Sequence, residues 1–460
     1  MLTFVVAVTF VMGLIGAVIY FRYYSFDPLF SGGNIPDIGK AGNMHAFLVN
    51  LHASYGPIAS FWWGPKLAVS IASPELFRQQ QNVFDRPSEL FVAFQPLLGE
   101  NSIMYANGAN GKKRRNLYAK AFSHRAVGYY METFSEVASE LVSSLQALPN
   151  DEHISIQQFC LALVLKGITR SSYGNYFKNH EACLAFRRNF DICWGELEYS
   201  LGHGAPEEGS ARDKAFKEAR GQLLSTFDAI IKKRRVDPPP PERQLFIDIL
   251  LENDLPESQI MDDCITYAIG GFHPSGFFLV WALYYIVTHQ DVQEKLHQEI
   301  QSVLGEDKDV DSSHIAQLVY LRQVLDETLR ITALAPWAGR FHDTDITLAG
   351  YVIPKHTPVI QALGVVSQDE NQWTNPEKFN PDRFSPENSK HRDKFAFQPF
   401  GFAGKRTCPG YRFAYAEVSV ALALLCQTFK FNIVKEQVVE PVYGLVAFPK
   451  EDIWVTLEKR

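Results

Sequence analysis

Residues 398–417 read QPFGFAGKRTCPGYRFAYAE. One cysteine, Cys408, sits among Gly401, Gly404, Pro409 and Gly410, with Arg406 two places before it. Glycines let a backbone pass close to a flat, bulky object and adopt the positive-φ turns that aim amides at one atom. Such amides, together with the positive end of a following helix, lower a thiol's pKa and make the sulfur an anionic ligand. Tyr411, Phe413, Ala414, Tyr415 and Val418 continue as a buried helix. A lone cysteine is more often a small buried hydrophobe than a ligand. Two other chemistries fail on spacing. A phosphate loop needs glycine where Pro399 stands and Ser or Thr where Arg406 stands; covalent haem attachment needs C-x-x-C-H, which is absent.

The stretch resembles the haem-ligand loop of the cytochrome P450 family, P-F-G-x-G-x-R-x-C-x-G followed by a helix with A-x-x-E. Gly404, Arg406, Cys408, Gly410, Ala414 and Glu417 fall on matching positions. The resemblance implies haem b (iron protoporphyrin IX) with Cys408 as axial ligand of the iron. It also implies that Phe400, Gly404, Arg406 and Gly410 shape the cofactor site. One residue is extra: Phe400 stands one place further from the sulfur than the pattern has it, so Phe402 or a looped-out residue must adjust.

The remaining composition suits such a body. The chain has 460 residues, 46% of them hydrophobic, with 34 Phe and 19 Tyr, enough for a sizeable core. A net charge of −7 argues against a nucleic-acid partner. Six cysteines without paired spacing, and no N-x-[ST] acceptor, suit a reducing compartment. Met1 to Tyr20 carries no charge and is long enough to cross a bilayer. Arg22 follows this run, whereas a cleaved signal has a basic start and a shorter apolar core. Residues 1–21 are therefore expected to be a single-pass anchor. Arg22 and Lys40 lead us to expect the body in the cytosol; this signal does not name the organelle, for which the endoplasmic reticulum is the expectation.

Residues 22–54 read as a linker and the start of the catalytic domain, which continues over 55–460. SFWWG and LAVSIA, separated by Gly64 and Pro65, predict a hairpin. Ser73-Pro74-Glu75 opens a helix. From about Lys112 to Thr332 the apolar spacing is mostly helical. It is broken by four prolines after Val236, and the basic run Lys232–Arg235 reads as a solvated face. Past Thr332 the chain is turn-rich and strand-like. A small sheet, a long helical body and a turn-rich approach to the cysteine match the P450 fold: mainly α with small β-sheets.

The resemblance extends to Glu327-Thr328-Leu329-Arg330 and to Asn380-Pro381-Asp382-Arg383-Phe384. Residues three apart on a helix share a side, so Glu327 and Arg330 can pair. By resemblance Arg383 joins them in a buried triad, and loss of any member is expected to abolish haem incorporation. Arg115, Arg340 and Arg406 match positions that bind haem propionates, a task suited to guanidinium forks. The family's tryptophan four residues before the first of these arginines is Gly111 here. One propionate thus loses a donor, and a loose helix start is expected.

Gln259 to Leu283 predicts one long helix. Its aligned segment, Gly270 to Ser275, replaces the family's A-G-x-[DE]-T-[TS], whose acid and alcohol relay protons during oxygen activation. Here the acid is His273 and the threonine is Pro274. Proline removes a donor and predicts a kink. The relay then falls to Ser275, to ordered water, or to His273, which would titrate near neutral pH. These changes, with the Gly-Phe-Ala-Gly loop, resemble the P450 family numbered twenty.

The implied function is a membrane-anchored haem-thiolate monooxygenase that inserts one oxygen atom of dioxygen into a hydrophobic small molecule. No flavin or nicotinamide site is present in the sequence. Electrons would come from an NADPH-dependent P450 reductase flavoprotein, with cytochrome b5 as a second donor, steered by Lys112, Lys113, Arg114 and Lys405. Phe91, Phe94, Leu97, Leu98, Phe272, Ala335 and Trp337 are candidates for the substrate wall. Two alternatives stay open: an isomerase or dehydratase that acts on peroxides without dioxygen, and a non-enzymatic haem-containing ligand binder or sensor.

Overall fold

The computed structural model describes residues 33–149, 151–239 and 244–460. The expected anchor over residues 1–21 lies outside the described residues. Among these, no helix is long and apolar enough to cross a membrane. The folded body begins by Gly33, which bridges to Trp63, and the helix Met44–Tyr55 buries Phe47, Leu48 and Leu51.

Strands β1 (Ile58–Trp63) and β2 (Lys66–Ile71) form the expected hairpin, with Gly64 at φ 57° in its turn. Ser73 caps the following helix by accepting the Leu76 N–H at 3.2 Å. The helical body comprises α1 (Gly108–Tyr118), α2 (His124–Gln146), α3 (Ile156–Tyr173), α4 (His180–His203), α5 (Ala211–Val236), α6 (Glu257–Thr288) and α7 (Val319–Thr332). Two short strands, β3 (Ala338–Arg340) and β4 (Val359–Gln361), extend the first sheet in the order β1-β2-β4-β3. The chain ends with α8 (Tyr411–Thr428) and the hairpin of β5 (Pro441–Tyr443) and β6 (Ala447–Pro449).

Helix α6 is the axis of the molecule. Its 32 residues span about 48 Å. It is apolar on most sides, as a helix enclosed by others must be. Two glycines let α3 come close: a Cβ at Gly271 would sit 2.6 Å from Ile168, and one at Gly276 2.5 Å from Leu161. The helix remains continuous through Pro274. Helix α8 is buried from Phe413 to Cys426 and packs on α2, which fixes the loop that precedes it.

The basic run at the end of α5 is only partly a solvated face. Arg234 turns inward and donates to Asp248 through Nε at 2.7 Å, which ties the helix end to the segment beyond the prolines.

Candidate active site

The cysteine loop absorbs its extra residue in a tight turn at Ala403 (φ −76°, ψ 75°), where Gly404 N–H donates to the Phe402 carbonyl at 2.8 Å. Gly401 and Gly404 take positive φ, 72° and 49°. Phe402 stacks on Phe77 at 4.8 Å and meets Phe395 edge-on at 5.5 Å. Phe400 turns to Tyr415 at 5.3 Å, while its carbonyl accepts the Cys408 N–H at 2.9 Å. Both rings thus have a place, and the longer loop still returns to the sulfur. Burial pushes the Cys408 thiol up, opposed by the Gly410 N–H and by the charges of Arg115 and Arg86. Arg115 and Arg86 thus stand near the sulfur.

Four arginines gather there. Arg406, buried at the end of the cysteine loop, donates to the carbonyls of Phe84 and Ile103 at 3.2 Å each, to Ala106, and to Asn107 Oδ1 at 3.1 Å. Arg115 donates to the Thr407 carbonyl. Arg340 on β3 is 2% exposed and bonds the neighbouring Gly339 carbonyl at 2.6 Å. Arg86, from the loop before α1, completes the group. Burial and mutual repulsion lower the pKa of three of them, to about 8 for Arg406, about 9 for Arg340 and about 10 for Arg86. None of these three forms an ion pair among the described residues, and the Nε atoms of Arg86 and Arg340 are buried without a partner. Buried positive charge without compensation is costly. The residues therefore fit a dianionic group, and two haem propionates satisfy that need with the geometry guanidinium prefers. Tyr267 on α6 interacts with Arg115 and Cys408, and Gly270 lies one turn further along. Gly270 is exposed in the middle of a buried helix, and a Cβ there would meet nothing within 4 Å.

Sequence reasoning missed Arg86, whose F-D-R-P setting has no periodicity to mark it. The expected loose start of α1 is corrected. Gly108 N–H donates to Asp85 at 2.7 Å, and the Asn107 amide both accepts from and donates to the Arg86 backbone at 2.9 Å. Gly111 is required because a Cβ would fall 2.4 Å from the Ala106 oxygen.

Glu327, Arg330 and Arg383 come together in one network. Arg330 donates to Glu327 through Nε at 2.7 Å and through a terminal nitrogen at 2.9 Å; Arg383 Nε adds a bond at 3.1 Å. Asn380 N–H also reaches Glu327, at 2.9 Å. Arg330 further binds the carbonyls of Ser367 and Pro376 at 3.0 and 2.8 Å. Glu327 and Arg330 are fully buried, so this is a satisfied internal network and not a surface pair.

On α6 the expected titration of His273 near neutral pH is corrected. The ring lies among Phe190 (4.7 Å), Trp194 (5.1 Å) and Phe277 (5.4 Å), and burial with the nearby Arg187 lowers its pKa to about 3. It is a neutral aromatic wall. At about 100° per residue, His273, Pro274 and Phe277 share the face of Gly270, whereas Ser275 turns toward the side where Gly271 and Gly276 meet α3.

Of the wall candidates, Phe91 stacks on Trp337 at 5.8 Å and Phe94 on Trp194 at 5.8 Å. Leu97, Leu98 and Phe272 are buried, and Ala335 is exposed between buried neighbours. Arg114 departs from its expected role as a partner-steering charge. It is buried and donates to Asp263 at 2.6 Å.

Comparison with known proteins agrees with this geometry. The family model described as Cytochrome P450 matches residues 25–456. Cytochrome P450 20A1 of Mus musculus is 34% identical, with 99% of this chain and 98% of that protein covered; the Bos taurus protein of the same name is 32% identical over the same shares. Cytochrome P450 4V2 of Mus musculus is 25% identical, with 88% and 82% covered. Among solved structures, the crystal structure of cytochrome P450DA heme domain superposes with a TM-score of 0.80 at 20% identity, covering 90% of this chain and 93% of that one. With matching that spans nearly its whole length, the chain belongs to the cytochrome P450 family.

Proposed function

We propose that this haem-dependent monooxygenase is held by residues 1–21 in the endoplasmic reticulum membrane, its body facing the cytosol, and oxidises hydrophobic small molecules with electrons from an NADPH-dependent reductase flavoprotein. The observation that carries the reading is the meeting of Cys408 with four arginines, of which Arg340 and Arg406 are buried, beside the part of α6 that carries Tyr267. When bound, the haem supplies oxygen activation, which a thiolate ligand favours. The chain's own residues supply the rest. Cys408 would hold the iron, and Arg86, Arg115, Arg340 and Arg406 would hold the propionates. The Glu327–Arg330–Arg383 network braces the polypeptide behind them.

On the opposite side, rings of α4, α6 and the Phe91–Phe94 segment exclude water and favour an apolar substrate. Pro274 has no N–H, so the Gly270 carbonyl lacks the donor that a helix places four residues on. That carbonyl is the acceptor that holds a proton-carrying water, in place of the missing alcohol. Lys112 and Lys113, both exposed on α1, form the steering face for an acidic electron donor.

The test is a carbon-monoxide difference spectrum of the reduced protein. Wild type shows the Soret band of thiolate ligation, and Cys408→Ala loses it. An unchanged band in the variant overturns the assignment. Product formation that requires NADPH and reductase supports the electron route, whereas consumption of a hydroperoxide without them favours the peroxide chemistry that the absent alcohol also allows.

A further inference from the structure

Glu198 stands in the aromatic wall without a cationic partner. It lies on α4, four residues after Trp194, so the two side chains share one side of the helix. One carboxylate oxygen would lie 3.1 Å from a Cβ at Gly444, the turn residue between β5 and β6, where Phe448 approaches to 3.6 Å. From Phe448 the contacts run to Phe277 (5.5 Å), on to His273 (5.4 Å) and back to Trp194 (5.1 Å). The six residues form a belt in which one acid stands between Trp194 on its own helix and the Gly444–Phe448 turn, with His273 and Phe277 linking the two rings. His273 and Phe277 belong to the Gly270 face of α6, so the belt stands on the side where substrate would meet the cofactor.

The belt contains no cation of its own. His273 is neutral, and Arg187, the nearest guanidinium to it, pairs with Asp191 at 3.5 Å. Among the described residues Glu198 forms no ion pair, and burial pushes its carboxyl up. A half-buried acid that lacks a cation, set beside a run of aromatic side chains, has the composition of an ammonium receptor.

We propose that Glu198, with Trp194, His273 and Phe448, recognises a protonated amine on a hydrophobic substrate. This rests on the reading of the protein as an oxidase of hydrophobic molecules. It adds the substrate class: amphiphilic amines, held by their nitrogen at the belt with the apolar part directed along α6. The recognised group is the charged nitrogen, so a neutral molecule of the same shape would be bound by apolar contact alone.

The experiment uses the full-length holoprotein and two probes, N,N-dimethyl-2-(naphthalen-2-yl)ethanamine and its uncharged carbon isostere 2-(3-methylbutyl)naphthalene. Binding is followed by equilibrium dialysis with naphthalene fluorescence at neutral pH. Wild type is expected to bind the amine about tenfold more tightly than the isostere. Glu198→Gln removes that preference while leaving the isostere unchanged, and Glu198→Asp retains part of it. Equal affinities in wild type, or an amine preference that survives Glu198→Gln, overturn the proposal alone. Failure of both probes to bind overturns it together with the broader substrate reading.

Discussion

Arg406 and Gly111 meet at one carbonyl. The guanidinium of Arg406 donates to the oxygen of Ala106, and Gly111 lies so close to that oxygen that a Cβ would be 2.4 Å away. A residue beside the cysteine is thereby tied to the start of α1, nearly three hundred residues earlier. Gly111→Trp, which restores the residue common in the family, is therefore expected to destabilise this member by about 1–3 kcal/mol and to speed haem loss. Thermal melting and haem occupancy check this; a variant with a higher melting temperature and fuller occupancy would show that the contact yields.

Arg340 has opposite effects with and without cofactor. It is 2% exposed, lacks an ion pair among the described residues, and shares its space with other guanidiniums. Arg340→Leu is expected to raise the stability of the apoprotein by about 1–2 kcal/mol, because a buried charge is removed. The same change should accelerate haem transfer from the holoprotein to apomyoglobin. Urea unfolding of the apoprotein and the transfer rate together test the assignment; a loss of apoprotein stability would mean that Arg340 is a structural residue.

His273 contributes to acid sensitivity and not to a neutral-pH rate profile. Its folded pKa of about 3 lies below the 6.5 of an unperturbed imidazole. Between those values the unfolded chain binds a proton that the folded one excludes. Stability therefore falls as pH drops below about 6.5, by at most about 1.4 kcal/mol per unit from this group. His273→Phe should flatten that slope in urea titrations and leave the pH dependence above 7 unchanged. A rate profile in which a neutral-range limb disappears with His273→Phe would contradict the assignment of a neutral ring.

Pro274 separates two ways of handling a proton. Pro274→Ala restores an N–H to the Gly270 carbonyl without adding an alcohol, and should reduce product formed per NADPH consumed. Pro274→Thr restores the N–H and adds the alcohol, and is expected to raise that ratio or open a new oxidation. Both effects are read as coupling in a reductase-supported assay. Wild-type coupling in both variants would mean that oxygen is not protonated at this turn.

The local patterns were legible because their chemistry is local. Spacing alone pairs Glu327 with Arg330 on one helix side, and Ser73-Pro74 starts a helix wherever it stands. The ligand loop could be read in the same way, with one exception: whether the extra residue displaced Phe400 or Phe402 depended on partners as distant as Phe77. Arg114 and Arg115 show the limit most clearly. Adjacent in sequence and identical in type, they diverge, the first to Asp263 inside the body and the second to the carbonyl of Thr407.

The amino-acid order by itself carried the resemblance to the family, which implies the candidate sulfur ligand and the triad, and the small-sheet, long-helix plan, which rests on apolar periodicity. Only the tertiary structure decided which arginines gather near Cys408, that α1 is pinned through Asn107, that His273 is a neutral ring, and that Glu198 stands beside the Gly444–Phe448 turn. The physical reason is the same in each case. A side chain's charge state and partners are set by what is buried around it, and those neighbours come from α4, α6, the arginine loops and the final hairpin, which only folding brings together.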